Sequence, residues 1–285
     1  MPHRLHSLLP GPAPWIMGVL NVTPDSFSDA GRFLGPAPAV AQARALAADG
    51  AAIVDVGGES TAPGSHPLGW RDELARVEPV VRALASELIL SIDTYHHRTA
   101  ARCLELGARI INDVSAARAE PDTASVAREH GAVLVMMYAK DSPLPHATDR
   151  PAAYRDPAAE IADFLLRRVD WALSRGLSPD QLVLDPGMGR FVSLDPAHSW
   201  RLLADFARLV ERLSPIPVLV GTSRKGFLGV PPQERDPVSQ LTALHAVQQG
   251  ASIARTHDAR MMRQFLGAAG QIGTLPARPA SRTAG

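Results

Sequence analysis

Short apolar runs alternate along the chain with longer segments in which apolar residues recur every three to four positions. The apolar runs occupy residues 16–21, 52–58, 88–94, 109–114, 133–138, 182–187, 217–223 and 252–258. The segments between them are rich in Ala, Leu and Arg at helical spacing, and several end in Gly directly before the next run, as helices often do. Because the apolar runs are nearly unbroken, they predict parallel strands covered by helices.

Eight strand–helix repeats predict a single (β/α)8 TIM barrel over residues 15–273. A doubly wound open sheet is the alternative fold for the same pattern. Residues 1–14 are interpreted as an N-terminal leader segment and residues 274–285 as a disordered tail. The segment 139–157 is long for a connection between strand and helix, so we expect either a functional lid or a mobile loop.

Seven of the eight predicted strands end in polar residues. They are Asn21, Glu59–Thr61, Asp93–Thr94, Asn112–Asp113, Asp185, Ser223–Lys225 and Arg255–His257. In a barrel the carboxyl ends of the strands converge on one rim, where barrel enzymes place their active sites. A single Asp after a strand can equally cap the next helix, so both interpretations stay open for Asp93 and Asp113 taken alone.

The overall composition excludes several classes of protein. The chain has 285 residues with 29 Lys and Arg against 29 Asp and Glu, so it carries no general basic field for nucleic acid or anionic membranes. Its one cysteine, Cys103, is interpreted as a buried apolar side chain rather than a catalytic thiol. We expect a cytoplasmic protein, since one cysteine suits a reducing compartment and no signal peptide or membrane span is visible.

The polar residues at the strand ends also differ in chemistry from one side of the rim to the other. Asp93, Asn112 and Asp185 offer carboxylate and amide groups, which suit a flat heterocycle that bears N–H groups. Arg255 and His257 follow the last strand, where barrels commonly bind phosphate. The pattern therefore predicts a ligand with a polar ring at one end and a phosphate group at the other.

Seven motifs in order resemble those of the dihydropteroate synthase family of pterin-binding barrels. They are GVLNVTPDSFSDAGRF, VDVGGESTAPG, SIDT, INDV, LDPGMG, GTSRKGF and RTHD, and the resemblance spans residues 15–273. The first two motifs are long and specific. The resemblance implies an enzyme that joins 6-hydroxymethyl-7,8-dihydropterin diphosphate to p-aminobenzoate, forms 7,8-dihydropteroate and releases pyrophosphate.

The resemblance also implies a role for individual residues. Residues matching the pterin-binding positions are Asp93, Asn112, Asp185 and Lys225, and those matching the diphosphate-binding positions are Thr61, Arg255 and His257. Asn21 matches a ligand of the Mg²⁺ cofactor that holds the diphosphate. Mg²⁺, Arg255 and His257 would stabilise the leaving group, Asp93 would favour positive charge on the ring, and Lys225 would hold its carbonyl side. Asp25 and Phe27 lie in a loop expected to close as a lid.

Departures from the family pattern cluster on the p-aminobenzoate side. Ala62 stands where the family usually has Arg, Gly226 where Ser is frequent, and Met188–Phe191 reads MGRF after DPG. We therefore expect a remodelled arylamine pocket, in which p-aminobenzoate binds through Arg190 or the amides around Gly226, or in which another amine is the acceptor. Arg190 could equally be a solvated surface residue.

Two other functions compete with the synthase. One is a folate-binding domain that passes a methyl group to a corrinoid partner, which would need neither Asn21 nor the pair Arg255 and His257. The other is a pterin-binding paralogue with a different amine acceptor or without catalysis. The expected partners are small-molecule substrates and, through the outer helices, a second copy in a homodimer, with no nucleic acid and no membrane.

Overall fold

The computed structural model describes residues 3–23, 28–29, 32–33, 36–59, 67–141 and 152–275. The strands are β1 Trp15–Asn21, β2 Ser28–Asp29, β3 Arg32–Phe33, β4 Ile53–Gly57, β5 Leu90–Asp93, β6 Ile110–Asp113, β7 Val133–Met137, β8 Leu182–Asp185, β9 Leu219–Val220 and β10 Ile253–Thr256. The helices are α1 Leu5–Leu8, α2 Ala37–Ala48, α3 Trp70–Leu84, α4 His97–Glu105, α5 Asp122–Glu129, α6 Pro157–Ser174, α7 Pro196–Ala204, α8 Phe206–Leu213, α9 Arg235–Gln248 and α10 Ala259–Gln271.

Eight parallel strands form one sheet in the order β8-β7-β6-β5-β4-β1-β10-β9. The two edges of this order meet, because Leu184 pairs in parallel with Val218 and the Leu184 N–H donates to the Pro217 carbonyl at 3.0 Å. The sheet therefore closes into the predicted TIM barrel, and the open doubly wound sheet is excluded. Strands β2 and β3 form a short antiparallel pair in the connection between β1 and α2.

Two elements differ from the sequence prediction. The single helix expected after β8 is two helices, α7 and α8, which meet at Asp205 (φ −95°, ψ 15°). The N–H of Asp205 closes α7 by donating to the carbonyl groups of Arg201 and Leu203. The expected seventh strand is regular only over Leu219–Val220. The predicted glycines at helix ends are confirmed: Gly50, Gly107, Gly131, Gly176 and Gly250 all have positive φ.

The apolar core has two parts. One lies between the strands and the surrounding helices. The other fills the barrel interior with Trp15, Met17, Ile53, Ile110, Val133, Val135, Val183, Leu219 and Ile253. These residues come from the amino-terminal and middle positions of their strands, so the interior is solid there. A ligand can therefore enter only at the carboxyl-terminal rim, as in other barrels.

Residues 3–9, within the segment interpreted as a leader, contact the base of this barrel. Leu5 of α1 is fully buried against the interior cluster, together with Leu9. Arg4 forms an ion pair with Asp180 at 3.0 Å, and its Nη1 donates to the Gly131 carbonyl at 2.7 Å. The segment thus covers the amino-terminal end of the barrel. Residues 276–285 of the predicted tail and residues 142–151 of the long connection lie outside the described residues.

No helix among the described residues is long and apolar enough to cross a membrane.

We expect Leu5→Ala to destabilise the fold by about 2–4 kcal/mol, since a buried leucine is removed and the barrel base cannot close over the gap. Urea unfolding followed by circular dichroism would measure this free energy. Ser7→Ala, on the exposed side of the same helix, is the matched control and should stay within about 0.5 kcal/mol of the parent. Equal values for the two variants would contradict a structural role for α1.

Candidate active site

An ion-paired arginine lies at the carboxyl end of the barrel interior. Arg255 of β10 donates from Nε to Asp55 Oδ2 at 2.7 Å and from Nη2 to Asp93 Oδ2 at 2.6 Å. Burial raises the pKa of Asp93 to about 7, although the charge of Arg255 opposes this. Burial disfavours the charge of Arg255, but Asp55 and Asp93 outweigh it and hold the pKa of the guanidinium above its usual range. Arg255 is therefore a permanent cation in this site.

Asn112 of β6 is tied to the same carboxylate. Its Nδ2 donates to Asp55 Oδ2 at 2.9 Å, while its buried Oδ1 has no hydrogen-bond partner among the described residues. Asn112 lines the cavity of the rim, and a buried unpaired oxygen is an acceptor available to a ligand.

Asp185 at the end of β8 is oriented by its own loop. Its Oδ1 accepts from the N–H of Gly187 at 2.7 Å. Gly187 has φ of +67°, and a Cβ there would lie 2.4 Å from the Tyr138 carbonyl oxygen, so only glycine fits this turn. Burial raises the pKa of Asp185 to about 6. The carboxylate therefore enters the cavity partly desolvated and prepared to accept hydrogen bonds.

Lys225 lies opposite these acceptors. Its Nζ is 4.5 Å from the ring centroid of Phe191, and burial together with the charge of Arg255 lowers its pKa to about 8. The preceding residue, Arg224, has a positive φ of 57° and forms a bidentate ion pair with Asp236 at 2.8 and 2.9 Å. The strained turn thus holds Arg224 on Asp236 and leaves the ammonium of the next residue at the cavity.

Ser223 orients the imidazole of His257. The Ser223 hydroxyl oxygen accepts from the His257 backbone N–H at 3.1 Å and lies 2.9 Å from the imidazole Nδ1. A hydroxyl oxygen can accept two hydrogen bonds, so Nδ1 either donates to Ser223 or accepts from it, and the contact orients the ring without fixing its tautomer. Burial lowers the pKa of His257 to about 3, helped by Arg255, Arg224 and Lys225. The residue is a neutral N–H donor at neutral pH.

A cavity at the rim joins Asp93, Asn112, Asp185, Lys225 and Arg255, whereas His257 is not among the residues that line it. It is lined by Asp93, Asn112, Val114, Met137, Asp185, Met188, Phe191, Gly221, Lys225 and Arg255. Apolar walls with a few convergent polar groups suit a flat polar ring. All four residues matching the pterin-binding positions and Arg255 therefore come together, as expected for one binding site.

The remaining sequence predictions divide into three groups. Thr61, Asp25, Phe27 and Ala62 lie outside the described residues. Asn21 ends β1 with an exposed side chain at the rim. Asp113 has a structural role other than the expected helix cap: its carboxylate accepts from the N–H groups of Ser115 and Ala117 in its own loop, whereas α5 is capped at Pro121.

Asp55 was missed by sequence reasoning. The signal was present, since Asp55 is a carboxylate inside the apolar run AIVDVGG, and a buried charge needs partners. Because Asp55 lies before the end of its strand, the pattern of polar residues at strand ends does not include it.

The family model of the pterin binding enzymes matches residues 17–257 of this chain. This range includes nearly all of the barrel and every described site residue. The chain belongs to the pterin-binding enzyme family. A dihydropteroate synthase of Mycobacterium leprae is 42% identical over 256 residues, covering 86% of this chain and 88% of that protein. Among solved members, dihydropteroate synthase of Xanthomonas albilineans with 4-aminobenzoic acid has a TM-score of 0.84 at 35% identity, covering 93% and 94% of the two chains. The same enzyme with 7,8-dihydropteroate has a TM-score of 0.80 at 33% identity, covering 93% and 95%.

Membership in the pterin-binding enzyme family accounts for the arrangement of the cavity. The cavity residues come from five of the barrel strands and from the loops that follow β6, β8 and β9. The residues that the family model matches therefore lie around much of the rim. The family match therefore agrees with the geometry, and the motifs that carried the resemblance are the ones that build the site.

We expect Asp185→Asn to stabilise the unliganded protein at pH 8. The pKa of Asp185 in the fold, about 6, exceeds its ordinary value of 3.8, so its favourable contribution is present below pH 3.8 and is lost as the pH rises through 6. The neutral amide of Asn does not titrate, so the variant avoids this loss of stability. The pKa shift of Asp185 limits the loss to about 3 kcal/mol.

Urea unfolding at pH 5 and pH 8 would test this, with exposed Asp170→Asn on α6 as the matched control. The stabilisation by Asp185→Asn should grow from pH 5 to pH 8, whereas the control should show no trend. If Asp185→Asn is less stable than the parent by the same amount at pH 5 and pH 8, ionisation of the Asp185 carboxylate does not lower the stability of the fold.

Proposed function

We propose that this protein is a dihydropteroate synthase of folate biosynthesis, which condenses 6-hydroxymethyl-7,8-dihydropterin diphosphate with p-aminobenzoate to give 7,8-dihydropteroate and pyrophosphate. The observation that carries the proposal is one cavity that combines ring-binding acceptors with Arg255 at its edge. The similar proteins are dihydropteroate synthases, and two of the solved structures contain 4-aminobenzoic acid and 7,8-dihydropteroate, which agrees with it. A methyl-transfer domain would have no use for a cationic site beside the ring.

The pterin ring suits the polar groups of the cavity. The carboxylate of Asp185 can accept two hydrogen bonds from the ring N–H and amino groups, while Asn112 Oδ1 accepts another. Lys225 donates to the ring carbonyl side. Met188 and Phe191 supply apolar surface for the flat faces of the ring.

The diphosphate suits the groups beside the ring. Arg255 carries a positive charge at every accessible pH. The uncharged imidazole of His257 can donate from Nε2 when the Ser223 hydroxyl donates to Nδ1. Thr61 is proposed as a further diphosphate contact, and Asp25 and Phe27 as parts of the closing loop, on the motif match alone.

Mg²⁺ is proposed as the cofactor, with Asn21 as its protein ligand. The described residues contain no group of three or more His, Cys, Asp or Glu side chains that could hold a metal. One exposed amide oxygen at the rim nevertheless fits Mg²⁺, which keeps several waters and commonly binds through substrate phosphates. When bound, the ion would neutralise charge on the diphosphate.

The reaction needs little covalent participation by the protein. The bond between the pterin methylene carbon and the diphosphate oxygen breaks, the electron pair leaves with pyrophosphate, and the arylamine nitrogen forms the new bond and loses one proton. Arg255 and His257 stabilise the charge that develops on the leaving oxygen. The carboxylate of Asp93 favours the positive charge that develops on the pterin. The cavity walls hold the ring in place and keep water, the competing nucleophile, from the reacting carbon.

The site for p-aminobenzoate is proposed beside the turns Gly189–Phe191 and Gly226–Leu228. Arg190 is exposed on the first turn, and a side chain added at Gly226 would meet nothing within 4 Å, so there is room for an acceptor there. A homodimer through α9 and α10 is also proposed, since Leu241 and Ile272 are 59% and 73% exposed on or next to these helices.

The condensation predicts that pyrophosphate release depends on both Mg²⁺ and p-aminobenzoate. The purified protein would be assayed with the pterin diphosphate, leaving out each component in turn, and the product identified by mass. Tight binding of the pterin diphosphate without p-aminobenzoate-dependent product would identify a paralogue with another acceptor or none.

Two variants should separate the ring site from the diphosphate site. Asp185→Asn should weaken the pterin diphosphate and the unphosphorylated pterin alike, by about tenfold or more, because a carboxylate acceptor is lost. His257→Ala should weaken only the diphosphate form, because the ring does not depend on Nε2.

Calorimetry with both ligands would measure these affinities, and His130→Ala, an exposed histidine at the end of α5, is the control. Unchanged affinity of both variants for the pterin diphosphate would refute the assignment of the site.

A further inference from the structure

Asp55 lies under the cavity rather than in its lining. It occupies the middle of β4, is fully buried, and is absent from the residues that line the cavity. Its Oδ2 accepts from Arg255 Nε at 2.7 Å and from Asn112 Nδ2 at 2.9 Å. One oxygen thus binds two side chains that do line the cavity, from β10 and β6.

The contact with Asn112 determines which end of the amide serves the ligand. A carboxylate accepts hydrogen bonds and does not donate, so only the NH₂ end of the amide can face Asp55. Asn112 Oδ1 is then the end that remains, buried and without a partner in the described part of the chain. A neutral or donating residue in place of Asp55 would allow the amide to turn.

The contact with Arg255 determines where the guanidinium points. With Nε held by Asp55 and Nη2 held by Asp93, the planar group has two fixed points and cannot rotate about its long side chain. The remaining N–H groups of the fork are therefore presented in one orientation. The two carboxylates, Asp55 and Asp93, also hold the positively charged guanidinium in the site by electrostatic attraction.

We propose that Asp55 is a positioning residue, which fixes Asn112 as a hydrogen-bond acceptor towards the pterin ring and locks the guanidinium of Arg255 beside Asp93. The inference rests on the proposed function for the identity of the ring. Asp55 itself contacts neither substrate, so its effect on binding must pass through Asn112 and Arg255.

A purely structural role makes a different prediction. If Asp55 only balanced the charge of Arg255, its removal would lower stability, but the loss of ring affinity would not depend on whether Asn112 is present. Positioning through Asn112 makes the two losses non-additive, which a double-mutant cycle measures.

The experiment uses the full chain and unphosphorylated 6-hydroxymethyl-7,8-dihydropterin as the probe, with affinity measured by calorimetry on protein whose folding is checked by circular dichroism. We expect Asp55→Ala and Asn112→Ala each to weaken binding about tenfold or more, and the double variant to be scarcely weaker than the weaker single variant. Losses that multiply in the double variant would overturn the proposal, as would unchanged affinity of Asp55→Ala.

Two further variants distinguish the proposed effect on binding from a folding defect. Asp55→Asn keeps the size and one acceptor oxygen, so it should fold and recover part of the affinity lost in Asp55→Ala. Glu73→Gln is the matched control, since Glu73 is equally buried but its carboxylate accepts from Thr94, which does not line the cavity. It should leave probe affinity within about threefold, which corresponds to less than about 0.7 kcal/mol.

Probe affinity that falls equally in Asp55→Asn and Glu73→Gln would overturn the proposal, because any buried carboxylate would then have the same effect. Binding of the probe is measured without p-aminobenzoate and does not depend on catalysis. A protein that binds the probe but forms no dihydropteroate would therefore contradict the proposed function, while the role of Asp55 could still be tested.

Discussion

The bridge from Asp55 through Arg255 to Asp93 is the interaction on which the site depends. Three strands each contribute one charged group to it: β4 and β5, which are adjacent, and β10, which is separated from β4 by β1. In a buried setting each charge alone would be strongly unfavourable, and only their mutual contact allows all three to be present. The bridge brings a guanidinium and a carboxylate to the cavity together, so the ring end and the anionic end of the substrate are adjacent.

The rest of the barrel supports this bridge by being solid beneath it. Apolar side chains fill the interior from the base upward, and α1 covers the lower end with Leu5. Charged groups therefore begin only where the apolar layers end. The same burial raises the pKa of Asp185 and Asp93 and lowers that of Lys225. The unliganded site is thus held at some cost in stability, and a ligand that hydrogen-bonds to these groups would relieve it.

The loops after β8 and β9 give the site its precision. Gly187 allows the tight turn that orients Asp185, and the strained backbone at Arg224 leaves Lys225 directed at the cavity. Ser223 orients the imidazole of His257 through two contacts to one residue. Each of these supports is a short-range hydrogen bond or a backbone conformation, so each is specified by a few neighbouring residues.

The sequence by itself determined the barrel and most of the site. Eight apolar runs separated by helical periodicity leave few arrangements other than a closed parallel sheet, and polar residues at strand ends must then share one rim. Position at a strand end could not by itself separate Asp93 from Asp113, because both are aspartates at the ends of neighbouring strands, and only the motif resemblance singled out Asp93. Only the tertiary structure decided that Arg255 lies against Asp93, whereas Asp113 binds its own loop. Asp55 escaped for the same reason: its partners are 57 and 200 residues away along the chain, and such contacts exist only after the barrel closes.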